Sequence, residues 1–216
     1  MVLILYHLDP SPPVRSVDLL IHTLGLKAQY KTVNLFHKDQ LKPEFLKLNP
    51  LHTIPVIDDD GFILWESRAI LTYLVSKYGK DDSLYPKDLQ KRAIVDQRLH
   101  YSNDVFYIFI QIIKRILYSD ATTILDEQLE KVKQTQENIE KLLEGQAFIA
   151  GDSLTVADFS YVTLVDILEV YRPTGDKFPL TKAWFQRCKS TIKDFDKINK
   201  KGADLLIEKL KEKLSK

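Results

Sequence analysis

A proline stands between Ile54 and Val56, at the point where the apolar pair Val56-Ile57 should enter a sheet. Proline has no amide hydrogen, so it cannot sit inside a paired ladder and belongs on an edge strand or in a turn. An X-Pro bond also loses most of its trans preference, which lets Ile54-Pro55 be held cis at a cost of roughly 0.5–1 kcal/mol. The run Leu51-His52-Thr53-Ile54-Pro55 is therefore predicted to turn the Ile54 backbone outward at the margin of a sheet. An outward-facing extended backbone can be matched by a second extended chain through main-chain hydrogen bonds. Eleven positions after Pro55 comes Glu66-Ser67-Arg68, with Ser67 placed to cap a helix. A small peptide is the natural guest of these two segments.

The surrounding pattern places that loop in a fold. Residues 2–6, Val-Leu-Ile-Leu-Tyr, have buried-strand length and are closed by Asp9, Pro10, Pro12 and Pro13. From Val14, the apolar residues Val17, Leu19, Leu20, Ile21, Leu24 and Leu26 carry a helix that Gly25 can end, and residues 30–35 resume a strand. Pro43-Glu44-Phe45-Leu46 reads as a helical turn. Pro55-Val56-Ile57 and Phe62-Ile63-Leu64-Trp65 flank Asp58-Asp59-Asp60-Gly61, a hairpin signal, and a helix capped by Ser67 should run to Tyr78. The order βαβ, helix, hairpin, helix predicts a thioredoxin-like α/β domain over residues 1–79, with two strands parallel. Residues 80–87 break the pattern with proline and charge. Beyond them residues 88–216 show no strand-like alternation and are predicted to be all-α. Val95, Leu99, Ser102, Phe106, Phe109, Ile113 and Ile116 form one stripe of a long helix. Thr155-Val156-Ala157-Asp158 is a capping box, with Leu154 and Phe159 as its hydrophobic staple. Leu206, Leu210 and Leu214 mark a terminal helix over residues 203–214.

Composition excludes several classes of function. A length of 216 residues, 44% of them hydrophobic, supports two modest cores. Thirty-one basic residues mixed with 30 acidic ones leave a net charge of +1, which offers no footprint for nucleic acid or an anionic membrane. The lysines of residues 197–216 alternate with Asp204, Glu208 and Glu212 and read as a solvated helix face. Cys188 is the single cysteine, so no internal disulfide is possible; it falls in a polar helical stretch and reads as a bystander. With no charged leader ahead of the first apolar run, a cytoplasmic location is expected. His7, His22 and His100 share no ligand spacing, and no metal site is expected.

Ser11-Pro12-Pro13-Val14-Arg15-Ser16 lies between the first strand and the first helix, at the end of the sheet where open α/β folds bind ligands. Together with the Leu51 loop, Glu66-Ser67-Arg68 and the Thr155 capping box, it makes the chain resemble the cytosolic glutathione transferases over essentially its whole length. The insect epsilon class is nearest, on Ser11-Pro12-Pro13-Val14-Arg15-Ser16 and Leu41-Lys42-Pro43-Glu44-Phe45, with the delta class next. The resemblance implies a homodimer that activates the thiol of glutathione, as cosubstrate, and adds it to hydrophobic electrophiles. A glutathione-dependent isomerase or peroxidase, and a non-catalytic carrier of hydrophobic ligands, remain open alternatives.

By the same resemblance Ser11 is the catalytic hydroxyl. The cysteinyl backbone lies along His52-Thr53-Ile54-Pro55, the γ-glutamyl end meets Glu66 and Ser67 with Arg68 nearby, and the glycyl carboxylate lies near His52 and Gln40. Epsilon-type relatives commonly carry a histidine where this chain has Gln40. Leu8, Pro10, Pro12 and Leu35 would face Tyr107, Ile110 and Tyr118 across the second-substrate site, and Arg15 would be structural. Each has an ordinary reading too: Ser11 and Ser67 as helix caps, His52 and Arg68 as solvated side chains, the tyrosine stripe as core.

Overall fold

In a computed structural model describing residues 2–215, the first strand β1 (Leu3–His7) is followed by α1 (Pro12–Thr23), β2 (Ala28–Thr32), the single turn α2 (Pro43–Leu46), β3 (Val56–Asp59), β4 (Phe62–Trp65) and α3 (Ser67–Tyr78). The four strands form one mixed sheet in the order β2-β1-β3-β4, with β1 and β2 parallel and the other pairs antiparallel. Leu3, Leu5, Val56 and Ile57 are buried against Val17, Leu20 and Ile21 of α1 and Ile70, Leu71 and Leu74 of α3 in one core.

Several local boundaries differ from the sequence reading, each for a physical reason. The second strand lies earlier than residues 30–35, because the Asn34 side chain accepts from the amides of Phe36 and His37 and starts a 3-10 turn at Leu35. Helix α1 starts at Pro12 rather than Val14; proline at a first helical position forfeits an amide that would have no partner there. Ser67 is the first residue of α3, and Glu66 occupies the cap at φ 71°. β3 lies inside the sheet, not at its edge, and Pro55 escapes the ladder by preceding its first paired residue.

The rest of the chain is helical: α4 (Leu89–Leu117), α5 (Asp126–Leu142), α6 (Val156–Tyr171), α7 (Pro179–Thr191) and α8 (Lys201–Leu214), the last entered through a π-helical turn, Asp196–Lys200. Helix α6 is the buried axis of this domain. Its capping box is built around Asp158, whose carboxylate accepts from the amides of Ile149 and Thr155 at 2.9 Å and from Trp184 Nε1 at 2.8 Å. Burial raises the Asp158 pKa against the pull of those donors. Trp184 and Cys188 face inward one turn apart on α7, so the polar sequence around Cys188 hides a fully buried thiol, and burial pushes its pKa far up. Among the described residues no helix is long and apolar enough to cross a membrane, and no three His, Cys, Asp or Glu side chains gather as a metal site.

Candidate active site

Antiparallel pairing sets Tyr6 of β1 beside Val56 of β3, and Val56 beside Trp65 of β4. One row across the sheet therefore collects three segments: the chain leaving Tyr6 toward Ser11, the chain arriving through Ile54 and Pro55, and the chain leaving Trp65 into Glu66 and Ser67. On the other flank His7 pairs with Thr32 in parallel, which brings Leu35 and Phe36 out at the same end. Three neighbouring strands span about 10 Å at the usual spacing.

Ser11 holds the N-cap position of α1, and its side chain makes no capping hydrogen bond. Its backbone is fixed instead: the Ser11 amide donates to Leu8 O at 2.9 Å and the Arg15 amide donates to Ser11 O at 3.0 Å. The turn is braced from the helical domain. Arg15, fully buried, donates from Nη1 to Asn199 Oδ1 at 2.6 Å and from Nη2 to Thr163 O at 3.0 Å, and burial lowers its pKa to about 10. Lys201 Nζ reaches Asp9 at 2.9 Å. Gly202 packs so close to the turn that a Cβ there would run into the Asp9 carbonyl oxygen and Arg15 Cδ. Arg15 is thus structural, one helical turn behind the hydroxyl.

The loop ahead of β3 is shaped by Asn49, which is completely buried. Asn49 Nδ2 donates to Thr53 O at 3.0 Å and Thr53 Oγ1 at 2.9 Å, while its Oδ1 accepts from the Leu51 amide. His52 is exposed at φ 49° and the Ile54-Pro55 bond is cis. Among the described residues no turn or ladder hydrogen bond uses the Ile54 N–H or C=O. Glu66, at φ 71°, is like His52 a non-glycine residue with positive φ; such positions concentrate where a surface is shaped for a ligand. The first amides of α3 point from Ser67 and Arg68 toward the same end, since the first bond back to Glu66 O comes from Ile70.

Arg68 turns away from solvent and toward the helical domain. Its Nε donates to Ser102 Oγ at 2.9 Å, its Nη2 to Ser102 O at 2.8 Å and its Nη1 to Ser67 Oγ at 3.3 Å, and it lies over the Phe106 ring. Burial lowers its pKa to about 10, against the opposing influence of Glu66. Gln40 sits half-buried in a 3-10 turn, Asp39–Leu41, with Oε1 buried and without a partner.

Leu8 and Pro10 are half-buried on the turn ahead of α1, and Pro12 is buried as its first residue. Tyr107 and Ile110 share a face of α4, with Tyr107 63% exposed, and Tyr118 caps that helix. Tyr118 stacks on Phe36 with ring centroids 5.9 Å apart, and Lys209 of α8 lies 5.0 Å above the Phe36 ring. Phe36 thereby joins sheet domain, α4 and α8, a role its single aromatic position gave no sign of. Asn49 was equally silent, although Asn49-Pro50 is a turn dipeptide. Asn199 and Thr163 were invisible because they meet Arg15 from 184 and 148 residues away.

Comparison with known proteins bears on the family and the fold. Residues 5–82 match the glutathione S-transferase N-terminal domain and residues 100–191 the glutathione S-transferase C-terminal domain. Glutathione S-transferase D7 of Anopheles gambiae is 39% identical, covering 99% of both chains, and glutathione S-transferase 1 of Manduca sexta is 40% identical over the full length of both. Among solved structures, an epsilon-class glutathione S-transferase from the housefly Musca domestica superposes with a TM-score of 0.94 at 43% identity, covering 98% of each chain. A glutathione transferase homolog of Drosophila mojavensis with bound glutathione gives 0.93 at 39% identity, covering 98% of this chain and 97% of the other. With a mixed four-stranded sheet, a helical second domain and full-length likeness to insect epsilon- and delta-class enzymes, the chain belongs to the glutathione S-transferase family.

Proposed function

We propose that this enzyme holds glutathione along the row Ser11, Ile54, Glu66, ionises its thiol with the Ser11 hydroxyl, and conjugates the thiolate to hydrophobic electrophiles in a detoxifying reaction. The observation that carries the reading is the strand register, which brings an uncommitted serine hydroxyl, an unpaired stretch of backbone and a helix N-terminus to one end of the sheet. An extended tripeptide spans about 10 Å, the width of those three strands.

The roles follow from donor and acceptor inventories. The Ile54 N–H and C=O pair with the cysteinyl unit in the manner of an added strand. The α3 amides and the Ser67 hydroxyl receive the γ-glutamyl α-carboxylate, and Glu66 pairs with its ammonium. Arg68 orients Ser67 through its 3.3 Å contact and carries buried positive charge beside that carboxylate. His52 and Gln40 attend the glycyl end, with Thr53 and Pro55 holding the loop in shape.

A free cysteinyl thiol, with pKa near 8.5, is only a few per cent ionised at neutral pH. A hydrogen bond from Ser11 Oγ to the thiolate contributes about 1.5–3 kcal/mol, roughly one to two pKa units, and the N-terminus of α1 adds about 0.3–1 kcal/mol. Together these make the thiolate a major species without a general base. Leu8, Pro10, Pro12, Leu35 and Phe36 face Tyr107, Ile110 and Tyr118 around the space over the sulfur, an apolar setting for the electrophile.

On this reading residues 1–79 bind glutathione, residues 80–87 link, and residues 88–216 complete the hydrophobic site; the enzyme is a cytoplasmic homodimer. Ser11→Ala tests the core of it. Turnover of a model electrophile should fall roughly ten- to a hundredfold, the worth of a charge-assisted hydrogen bond, while glutathione affinity changes by less than about threefold. Undiminished turnover would remove Ser11 from the mechanism.

A further inference from the structure

A cavity of about 390 Å³ lies between α5, α6 and α7, and none of the residues lining it belongs to the sheet-end site. Its walls are apolar: Ile139 from α5, Val165 and Leu168 from α6, and Phe178 and Phe185 at the start and middle of α7. That volume is in the range that takes a small organic molecule. Its polar groups are unbalanced in charge. Asp166 and Glu169, three residues apart on one face of α6, both line it. Lys182 at the rim carries positive charge, but its ammonium is held by Asp176 at 2.6 Å.

The two carboxylates are differently placed. Glu169 accepts from the Thr174 amide at 2.7 Å and from the Thr174 hydroxyl at 2.7 and 2.9 Å, which fixes the loop at the cavity's mouth. Asp166 has a weaker protein donor, Asn199 Nδ2 at 3.4 Å. Burial pushes its pKa up to about 6, although Arg15, Lys189 and Lys200 pull it down and Asp204 opposes them. Arg15 acts only at a distance, because its Nη1 and Nη2 donate to Asn199 and Thr163. A desolvated carboxylate with spare acceptor capacity, opening into an apolar space, is matched by a cationic donor attached to an apolar body.

We propose that this cavity is a binding site for amine-bearing amphiphiles, with the ammonium donating to Asp166 and the apolar body lying between Leu168 and Phe185. An amphiphile with a carboxylate head meets two like charges there and is rejected. The site does no thiol chemistry and gives the protein a second ligand class, bound beside rather than within its catalytic cleft.

Calorimetric titration of the full-length protein with decylamine tests this, run with and without S-hexylglutathione and repeated with decanoate. Decylamine should bind one to one, at least tenfold tighter than decanoate, with an affinity that S-hexylglutathione does not alter. Asp166→Asn should weaken it at least tenfold. Val165→Trp, which fills the cavity, should abolish it while turnover of the model electrophile persists; this variant and the decanoate comparison decide the matter should Asp166→Asn fail to fold. Absent binding, equal binding of decanoate, displacement by S-hexylglutathione, or unchanged affinity in a folded Val165→Trp would each overturn the proposal. The decylamine affinity, its ratio to decanoate and its loss in Val165→Trp are read directly and do not depend on whether the sheet end binds glutathione.

Discussion

At the scale of single residues, the site depends on side chains and backbone groups left without internal partners. Ser11 occupies a capping position and declines to cap, which leaves its hydroxyl free to donate. Gln40, assigned to the glycyl carboxylate, has a buried, unpartnered Oε1 and can offer that carboxylate only an uncharged amide donor. Replacing it with a cation-capable donor, Gln40→His, should tighten glutathione binding about two- to fivefold, the size of a partly exposed charge pair. Calorimetry giving equal or weaker binding would refute that role. Ser11, Ile54 and Glu66 could be singled out from the sequence because each stands next to a proline, a strand end or a predicted helix start, whereas His52 entered only through the family resemblance. Asn49 could not: nothing local distinguishes a buried asparagine that braces a loop from one exposed in a turn. The positive φ at Glu66 was equally hidden, because Ser67 is the better capping residue by type and the structure places it one position further in.

Among elements, the succession of strands and helices in the first domain was legible because short apolar runs, a hairpin signal and proline punctuation mark them, although the order of strands across the sheet was not. The parallel pairing of β1 with β2 follows from the helix between them. The capping box of α6 was legible for the same reason, its four residues being contiguous. Packing of α8 against the turn that carries Ser11 was not, since it rests on the absence of a side chain at Gly202. That glycine is helical, where alanine is intrinsically favoured by about 1 kcal/mol, so propensity and packing predict opposite outcomes for Gly202→Ala. Packing should win: the added Cβ meets the Asp9 carbonyl and Arg15, both held in place, and must push α8 off the turn that carries Ser11. Melting by differential scanning fluorimetry should show a fall of several degrees, together with reduced kcat/KM. A rise in Tm would mean that α8 does not brace the turn.

For the whole molecule, two arginines tie the domains together. Arg68 of α3 grips Ser102 of α4, and Arg15 of α1 grips Asn199 and Thr163, so the sheet end and the helices that face it are held as one body. These links join residues far apart in the chain, which is why charge and periodicity gave no hint of them. The outer surface leaves Phe62 of the edge strand β4 and Leu89 and Ile94 of α4 exposed, with Leu89 79% exposed. Apolar side chains from both domains suit an interface between the sheet of one subunit and the helices of another. Light scattering should give twice the chain mass at micromolar concentration; a monomer would contradict the dimer. The central claim, that the Ser11 hydroxyl ionises bound glutathione, is tested most directly by ultraviolet titration of the thiolate in the binary complex. The account predicts that native protein lowers the thiol pKa by one to two units and that Ser11→Ala, still binding glutathione, returns it most of the way toward its free value; the same lowered pKa in both proteins would contradict it.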